Sequence, residues 1–142
     1  MLSQHAYINM IITYFNFNDL KPSAVPMDHN QPLGRSQCPS TLANITWMRN
    51  IPYHEAVGLL MYAAMCTRPD ITYGMSTVTQ FMDNPGWVHW EAVKRVFHYL
   101  KETKDYELVY GGERKDLTGF VDADGASQEH RHAILGYVFM VA

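Results

Sequence analysis

Residues 52–71 read PYHEAVGLLMYAAMCTRPDI, and this stretch decides the fold because it contains one clear helix and its end. Its apolar side chains recur at the three- and four-residue spacing of one helix face: Val57, Leu60, Met61 and Ala64. Proline is tolerated in a first helical turn, so we predict that the helix begins at Pro52. Arg68-Pro69-Asp70 then interrupts the pattern, because proline disfavours helical geometry in the residue before it.

Three other amphipathic patterns surround this stretch. A helix with Ser3 as its N-cap is predicted by Tyr7, Met10, Ile11 and Tyr14. Two later helices are predicted by Ile71, Met75, Val78 and Met82, and by Trp90, Val93, Phe97 and Leu100. Between the first two helices, residues 23–49 contain prolines and many polar side chains, which indicates an extended linker.

After Lys104 the apolar spacing changes from about 3.6 toward 2, which indicates strands. We predict strands at residues 107–110, 117–124 and 135–141, with Gly111-Gly112 as a turn. The sequence therefore predicts an α+β fold. Its helical region covers residues 1–104, with the linker at about 23–49, and a short antiparallel β-meander covers residues 105–142.

Composition excludes several classes of function. The 142 residues are 47% hydrophobic and 18% charged, which is typical of a globular protein. The net charge is −3, and strong nucleic-acid binding is not expected because phosphate contacts require a basic face. The longest apolar run, residues 56–66, is too short to span a membrane. Cys38 and Cys66 lack metal-ligand spacing, so we expect free thiols and no cofactor.

Five motifs carry a resemblance to a known family. They are AVGLLMY at 56–62, CTRPDI at 66–71, HWEAVKR at 89–95, YLK at 99–101 and GFVDAD at 119–124. In order and spacing this series resembles the Pol polyprotein of copia-type (Ty1/copia) retrotransposons, and the resemblance covers nearly the whole chain. It implies that residues 1–104 correspond to reverse transcriptase beyond the palm. Residues 105–142 would then correspond to the first strands of an incomplete RNase H-like sheet.

Asp122 and Asp124 are the candidate metal ligands. Residues two apart on a strand share a face, so both carboxylates could approach one divalent cation. The resemblance implies that Asp122 corresponds to the first metal-binding aspartate of RNase H, and that the other acidic residues of that site lie beyond residue 142. Two-metal hydrolysis needs several carboxylates. We therefore predict a vestigial pair at the solvated end of a strand, without a functional metal site.

The residues that follow this pair depart from the family pattern. Family members typically continue with Trp-Ala-Gly-Asp, but residues 125–128 read GASQ, and residues 131–137 read RHAILGY without the hydroxyl triplet of the family. The polymerase signature, an aromatic residue followed after one position by two aspartates, does not occur in the sequence. The resemblance implies that it lies upstream of Leu2. We therefore predict that the chain is not an enzyme and has no catalytic residues.

Three other groups of polar residues have competing interpretations. His130 and His132 could bind a transition metal together or be exposed loop histidines. His89 lies at a predicted helix start, where capping and packing explain it better than catalysis. Basic residues of the last predicted helix and just beyond it could face a nucleic-acid duplex or form a solvated face: Lys94, Arg95, Lys101 and Lys104.

The resemblance leads to two main functional hypotheses. Copia-derived reading frames similar to this one have been assigned to secreted RxLR-type effectors of downy-mildew oomycetes. This implies a non-enzymatic protein that enters plant host cells, binds an unknown host protein and suppresses defence or cell death. The alternative is an inert, intracellular fragment of the reverse transcriptase/RNase H polyprotein. A third hypothesis, residual Mg²⁺-dependent nuclease activity, would depend on Asp122.

Two sequence features bear on delivery outside the cell. No Arg-x-Leu-Arg motif occurs in the sequence. The apolar patch at residues 8–15 lacks the basic flank and the cleavage site of a secretory signal. Secretion is therefore an expectation that rests on the resemblance.

Overall fold

The structure is a computed structural model that describes residues 1–28, 30–109, 111, 118–124 and 134–140. The chain divides into two compact units, Met1–Leu108 and Val109–Ala142. The first unit contains β1 Leu2–Ser3, α1 His5–Tyr14, α2 Leu42–Arg49, α3 Tyr53–Cys66, α4 Thr72–Thr79, α5 Trp87–Glu102 and β2 Glu107–Leu108. The second contains β3 Thr118–Asp124 and β4 Ile134–Met140. The predicted α+β class is confirmed.

The core of the first unit lies where α3, α4 and α5 pack against one another and α1 packs on α5. Most of the apolar residues predicted to face the core from the second, third and fourth predicted helices are buried: Val57, Leu60, Ala64, Ile71, Met75, Val78, Trp90, Val93, Phe97 and Leu100. Met61 and Met82 are half-buried and pack against this core. Burying one large apolar side chain contributes about 1.5–3 kcal/mol. The apolar period of α3 to α5 therefore supplies much of the driving force for folding.

The buried face of α1 differs from the predicted stripe. Its buried residues are Ile8, Ile11 and Ile12. Met10 and Tyr14 are instead 53% and 61% exposed. The Tyr14 hydroxyl donates to the Glu55 carboxylate at 2.6 Å, a contact that is available only at the surface. The prediction was therefore right for Ile11 and for Tyr7, which packs partly buried against the core, and wrong for Met10 and Tyr14. A tyrosine combines an apolar ring with a polar tip, so it fits either side of a helix.

The predicted linker at residues 23–49 was wrong in its second half, which contains a 3₁₀ turn at Arg35–Gln37 and the helix α2. Thr41 caps α2, because its side-chain oxygen accepts the backbone N–H of Asn44 at 3.3 Å. A helix of eight residues is marginal by itself in water. Burial of Met48 against the core stabilises it, and that contact is not visible in the local sequence.

The first predicted strand pairs inside the helical unit and not with the later strands. β2 pairs antiparallel with β1, so that Leu108 lies opposite Leu2 and Glu107 lies opposite Ser3. Ser3 therefore belongs to a strand, and Gln4 occupies the N-cap position that was predicted for Ser3. Backbone N–H and C=O groups need partners, and the residues before α1 supply them to β2.

β3 and β4 form an antiparallel pair whose register runs from Thr118 opposite Met140 to Asp124 opposite Ile134. Gly111 has a φ of +113°, which favours glycine and agrees with a turn there, while Gly112 lies outside the described residues. The assignment of residues 1–104 and 105–142 to two enzyme parts stays a prediction. None of the described helices has the length and apolarity that crossing a bilayer requires.

Candidate functional site

The two candidate metal ligands lie on the strand predicted for them. Asp122 and Asp124 occupy alternate positions of β3, and alternate positions of a strand share a face. Asp122 is exposed. Its partner across the ladder is Gly136, and the neighbouring pair on the same face is Phe120 and Val138. The neighbouring β4 residues on this face therefore offer no carboxylate to Asp122.

The opposite face of the β3–β4 pair has no charged side chain and is mostly apolar. It carries Gly119, Val121, Ala123, Leu135, Tyr137 and Phe139. The larger side chains among them are 60–69% exposed. Antiparallel sheets usually bury one face against a core, and a two-stranded hairpin is marginally stable by itself. The pair therefore has the surface of a sheet that packs against further structure.

No group of three or more histidine, cysteine, aspartate or glutamate side chains within the described residues is arranged to hold a metal ion. His130, His132 and residues 125–128 lie outside the described residues, so the predictions made for them stay predictions. The vestigial character of Asp122 and Asp124 also stays a prediction.

The basic residues of α5 interact with groups of their own unit. Lys94 pairs with Glu91 at 2.5 Å and lies over the Trp87 ring, 4.8 Å from its centroid. Arg95 pairs with Asp28 at 2.8 Å. In the same way, the ammonium group of Lys101 donates to the backbone carbonyls of Asn18 and Leu20. These contacts compete with the phosphate contacts that a nucleic-acid interface would require.

Arg68 is a buried arginine that sequence analysis treated only as a helix break. Its side chain is 1% exposed. Nε and Nη2 donate to the two carboxylate oxygens of Asp70 at 3.0 and 2.7 Å. Nη1 donates to the Thr103 carbonyl at 3.0 Å, and Nη2 also donates to the Thr103 hydroxyl at 2.5 Å. The rings of Tyr99 and Tyr106 each lie 5.5 Å from the guanidinium carbon.

The Arg68 cluster joins the turn after α3 to the end of α5. The bidentate contact with Asp70 uses the fork geometry that lysine lacks. Because Thr103 follows the last residue of α5, the guanidinium also satisfies a carbonyl at a helix C-terminus, where positive charge is favourable. These partners accept four hydrogen bonds from the guanidinium, so the cluster stabilises the fold. A charged Arg-Pro-Asp between two apolar stripes was the signal that could have indicated burial.

His89 is fully buried at the start of α5. Its Nδ1 accepts the backbone N–H of Gly86 at 2.8 Å, which confirms the predicted capping role. Its Nε2 lies 3.3 Å from the Gly34 carbonyl oxygen. The ring stacks on Phe81 at 4.0 Å between centroids. Burial lowers the pKa of His89, and the hydrogen bond to Gly34 opposes this shift only in part.

Comparison with known proteins places the chain among transposon proteins. It is 41% identical over 139 residues to the retrovirus-related Pol polyprotein from transposon TNT 1-94 of Nicotiana tabacum, which covers 97% of the chain and 10% of that polyprotein. It is 34% identical over 143 residues to the putative transposon Ty5-1 protein YCL074W of Saccharomyces cerevisiae, which covers 99% of the chain and 44% of that protein. The chain thus spans less than half of either relative.

A third relative has a different name. The chain is 42% identical over 95 residues to the secreted RxLR effector protein 161 of Plasmopara viticola, which covers 65% of the chain and 66% of that protein. No protein-family model and no solved structure matches the chain. The resemblance carried by the five sequence motifs is confirmed by the transposon relatives, which match along almost the whole chain. The chain is similar along almost its whole length to a segment of copia-type retrotransposon Pol polyproteins.

Proposed function

We propose that this chain is a Pol-derived segment that performs no catalysis by itself. In this proposal residues 1–104 correspond to reverse transcriptase beyond its palm, and residues 105–142 correspond to the first strands of an RNase H-like sheet. The chain spans only 10% of the tobacco polyprotein. We therefore assign the activities of a whole Pol polyprotein to residues other than these, and we expect this segment to be intracellular like the rest of such a polyprotein.

The surroundings of Asp122 carry this proposal. Two-metal hydrolysis requires several carboxylates around two cations about 3.5–4 Å apart. Asp122 lies opposite Gly136, and the adjacent pair on its face is Phe120 and Val138. β4 contains no acidic residue in any register, since it reads ILGYVFM. Asp124 is then the one carboxylate that the two strands offer beside Asp122, and we propose that this pair does not support hydrolysis.

The contacts of α5 support the same proposal for nucleic-acid binding. Lys94, Arg95 and Lys101 are bound to acidic or carbonyl groups of the helical unit. The net charge of the chain is −3. Binding a duplex through this helix would require these contacts to be broken before phosphates could replace them, which costs free energy. We therefore expect no strong binding of nucleic acid by the chain alone.

A hybrid-cleavage assay tests the proposal. We expect that neither the wild-type chain nor Asp122→Asn cleaves the RNA strand of an RNA–DNA hybrid in the presence of Mg²⁺, because the two described strands offer Asp122 no carboxylate other than that of Asp124. Asp83→Asn is the matched control, since Asp83 is also exposed and its side chain is 67% accessible. Cleavage by the wild type and by Asp83→Asn, but not by Asp122→Asn, would show residual nuclease activity and contradict the proposal.

A second candidate function is that of a secreted effector. It is favoured by the 42% identity to the effector-named protein of Plasmopara viticola, which extends over 65% of the chain. Under this candidate the chain would act in virulence without catalysis, would be secreted into host cells and would bind a host protein. A stable helical unit with a packed core of its own is compatible with such a role.

Expression in leaf cells separates the two functions. If the chain is an effector, its expression should change the extent of defence-triggered cell death relative to an inactive reporter protein. If it is an inert Pol segment, cell death should be unchanged at an expression level confirmed by immunoblotting. A change that is produced to the same extent by Phe97→Ala, a variant expected to destabilise the packed core, would not depend on the stability of the fold and would count against the effector.

A further inference from the structure

His89 holds two separate parts of the helical unit together through its neutral ring. Because Nδ1 accepts the N–H of Gly86, the neutral imidazole carries its hydrogen on Nε2. Nε2 therefore donates to the carbonyl of Gly34, which belongs to the loop before α2. One side chain thus accepts a hydrogen bond at the start of α5 and donates another to a segment more than fifty residues away in sequence.

The segment that His89 reaches is packed directly on the start of α5. A Cβ atom added to Gly86 would lie 2.2 Å from the Gln37 carbonyl oxygen, so the two backbones approach as closely as glycine allows. Further along the same segment, the Trp47 ring on α2 packs against Trp87, with 4.9 Å between centroids. We name residues 34–49 the α2 segment. It carries the 3₁₀ turn at Arg35–Gln37 and α2.

Protonation of His89 is incompatible with this arrangement. A histidinium ion carries hydrogen on both nitrogens. Its Nδ1–H would then point at the N–H of Gly86, and two donors would face each other where a hydrogen bond had been. The ring is also fully buried and stacked on Phe81, where a positive charge is poorly solvated. The proton is therefore accepted more readily by a conformation in which the ring reaches water.

Two pairs of opposite charges lie on the elements around His89. Arg35 on the α2 segment lies 3.9 Å from Asp83, which follows α4. On α5 itself Glu91 pairs with Lys94. Other titratable groups on these elements include Arg49 and Cys38 on the α2 segment and Tyr53 on α3, whose pKa is raised by burial and, after burial, by the nearby Cys38. Neither pair supplies a net negative charge that would stabilise a buried histidinium.

We propose that His89 is a pH-sensitive fastener that holds the α2 segment on the start of α5 at neutral pH and releases this segment when the ring is protonated in mild acid. The sign follows from linkage. We call the form with the α2 segment packed on α5 closed and the form with the segment released open. A histidine whose pKa is lowered in the closed form binds fewer protons there than in the open form. The closed form is therefore stabilised less as pH falls below the ordinary pKa of 6.5. The weakening is complete once pH lies below the pKa of the closed form.

Amide hydrogen exchange of the full-length chain at about pH 7 and about pH 5 tests the fastener, with rates corrected for intrinsic exchange. We expect the α2 segment and the Gly86 amide to lose protection in acid. The loss should be about tenfold for each unit by which the pKa of His89 lies below its ordinary value. Amides of α3 should keep their protection. A loss spread evenly over α1 and α3 would indicate global unfolding and would overturn the proposal.

Two variants and one direct measurement complete the test. His89→Gln keeps the side-chain acceptor of a capping box but does not titrate, so its α2 segment should show no acid-dependent release. His54→Gln removes an exposed histidine and should release the segment as the wild type does. Equal pH dependence in the wild type and His89→Gln would overturn the proposal. Because a variant could fail to fold, NMR titration of His89 in the wild type is decisive too: a neutral ring protonated on Nδ1, or titration at or above 6.5, would overturn it.

Discussion

Replacing Arg68 with alanine is expected to lower the free energy of unfolding by about 3 kcal/mol, the lower end of the range for breaking a buried ion pair. The substitution removes the guanidinium donors from both oxygens of Thr103 and from the Asp70 carboxylate, which keeps only the hydroxyl of Tyr99 as a side-chain donor. The loss stays at the lower end because the Asp70 side chain is 33% exposed and can be partly hydrated. Urea denaturation followed by far-UV circular dichroism measures it.

Arg35→Ala is the matched control for this prediction. Arg35 and Asp83 form a longer ion pair, 3.9 Å apart, whose side chains are 57% and 67% exposed. Pairs of this kind contribute about 0–1 kcal/mol because water and salt screen them. Arg68→Lys should still lose stability, since an ammonium group cannot reproduce the bidentate contact. Equal losses for Arg68→Ala and Arg35→Ala would contradict a structural role of the buried cluster.

The same cluster makes stability depend on acid. Burial raises the pKa of Asp70, but hydrogen bonds from Arg68 and Tyr99 and the charge of Arg68 together outweigh burial and hold this pKa below its ordinary value of 3.8. A carboxyl group with a lowered pKa in the folded state contributes stability above its ordinary value, which is lost as pH falls through the folded value. The wild type should therefore lose this contribution below about pH 4, and Arg68→Ala should lose less over the same interval.

Replacing Phe97 with alanine is expected to lower the free energy of unfolding by about 3–5 kcal/mol, the range for a buried phenylalanine. Phe97 is fully buried on α5. Its ring lies 5.3 Å from that of Phe15 and 5.2 Å from that of Phe17, measured between centroids. The substitution removes both contacts and leaves a cavity between α5 and the end of α1. The same urea titration, with an unchanged m-value, measures the loss.

Phe120→Ala is the matched control for Phe97→Ala. Phe120 lies on β3, and its side chain is 58% exposed. Truncation of an exposed side chain away from a core changes stability by no more than about 0.5 kcal/mol. A small loss for Phe97→Ala and a large one for Phe120→Ala would mean that the stability of the chain depends on the β3–β4 pair and not on the helical core.

Much of the helical unit could be predicted from sequence because its pattern is local. Val57 and Leu60 on α3, and Val93 and Phe97 on α5, recur with the helical period, so the helix and its buried face follow from the same residues. On α1 the prediction failed for Tyr14, because a tyrosine fits an apolar face of a helix as well as the surface. The helix α2 was missed because it is short and depends on burial of Met48.

The positions of Asp122 and Asp124 on a strand were predicted from sequence, but the residues that lie beside them on β4 were not. The alternation of residues 117–124 was enough to place Asp122 and Asp124 at alternate positions of one strand. Which residues lie opposite Asp122 depends on the register of β3 and β4, and a shift of one residue would exchange their faces. The pairing with Gly136 therefore became known only from the structure. The pairing of β2 with β1 joins residues more than a hundred positions apart and had no local signal.

The amino-acid sequence by itself determined the relationship to copia-type Pol polyproteins, the α+β class and the buried faces of α3 to α5, because motif order and apolar period can be read from the sequence alone. Only the tertiary structure decided that Arg68 is buried with Asp70 and Thr103, and that His89 joins α5 to Gly34. Charged and polar side chains are tolerated in a core only when their partners are in place. Thr103 lies 35 residues from Arg68 and Gly34 lies 55 residues from His89, and no local pattern indicates partners at such separations.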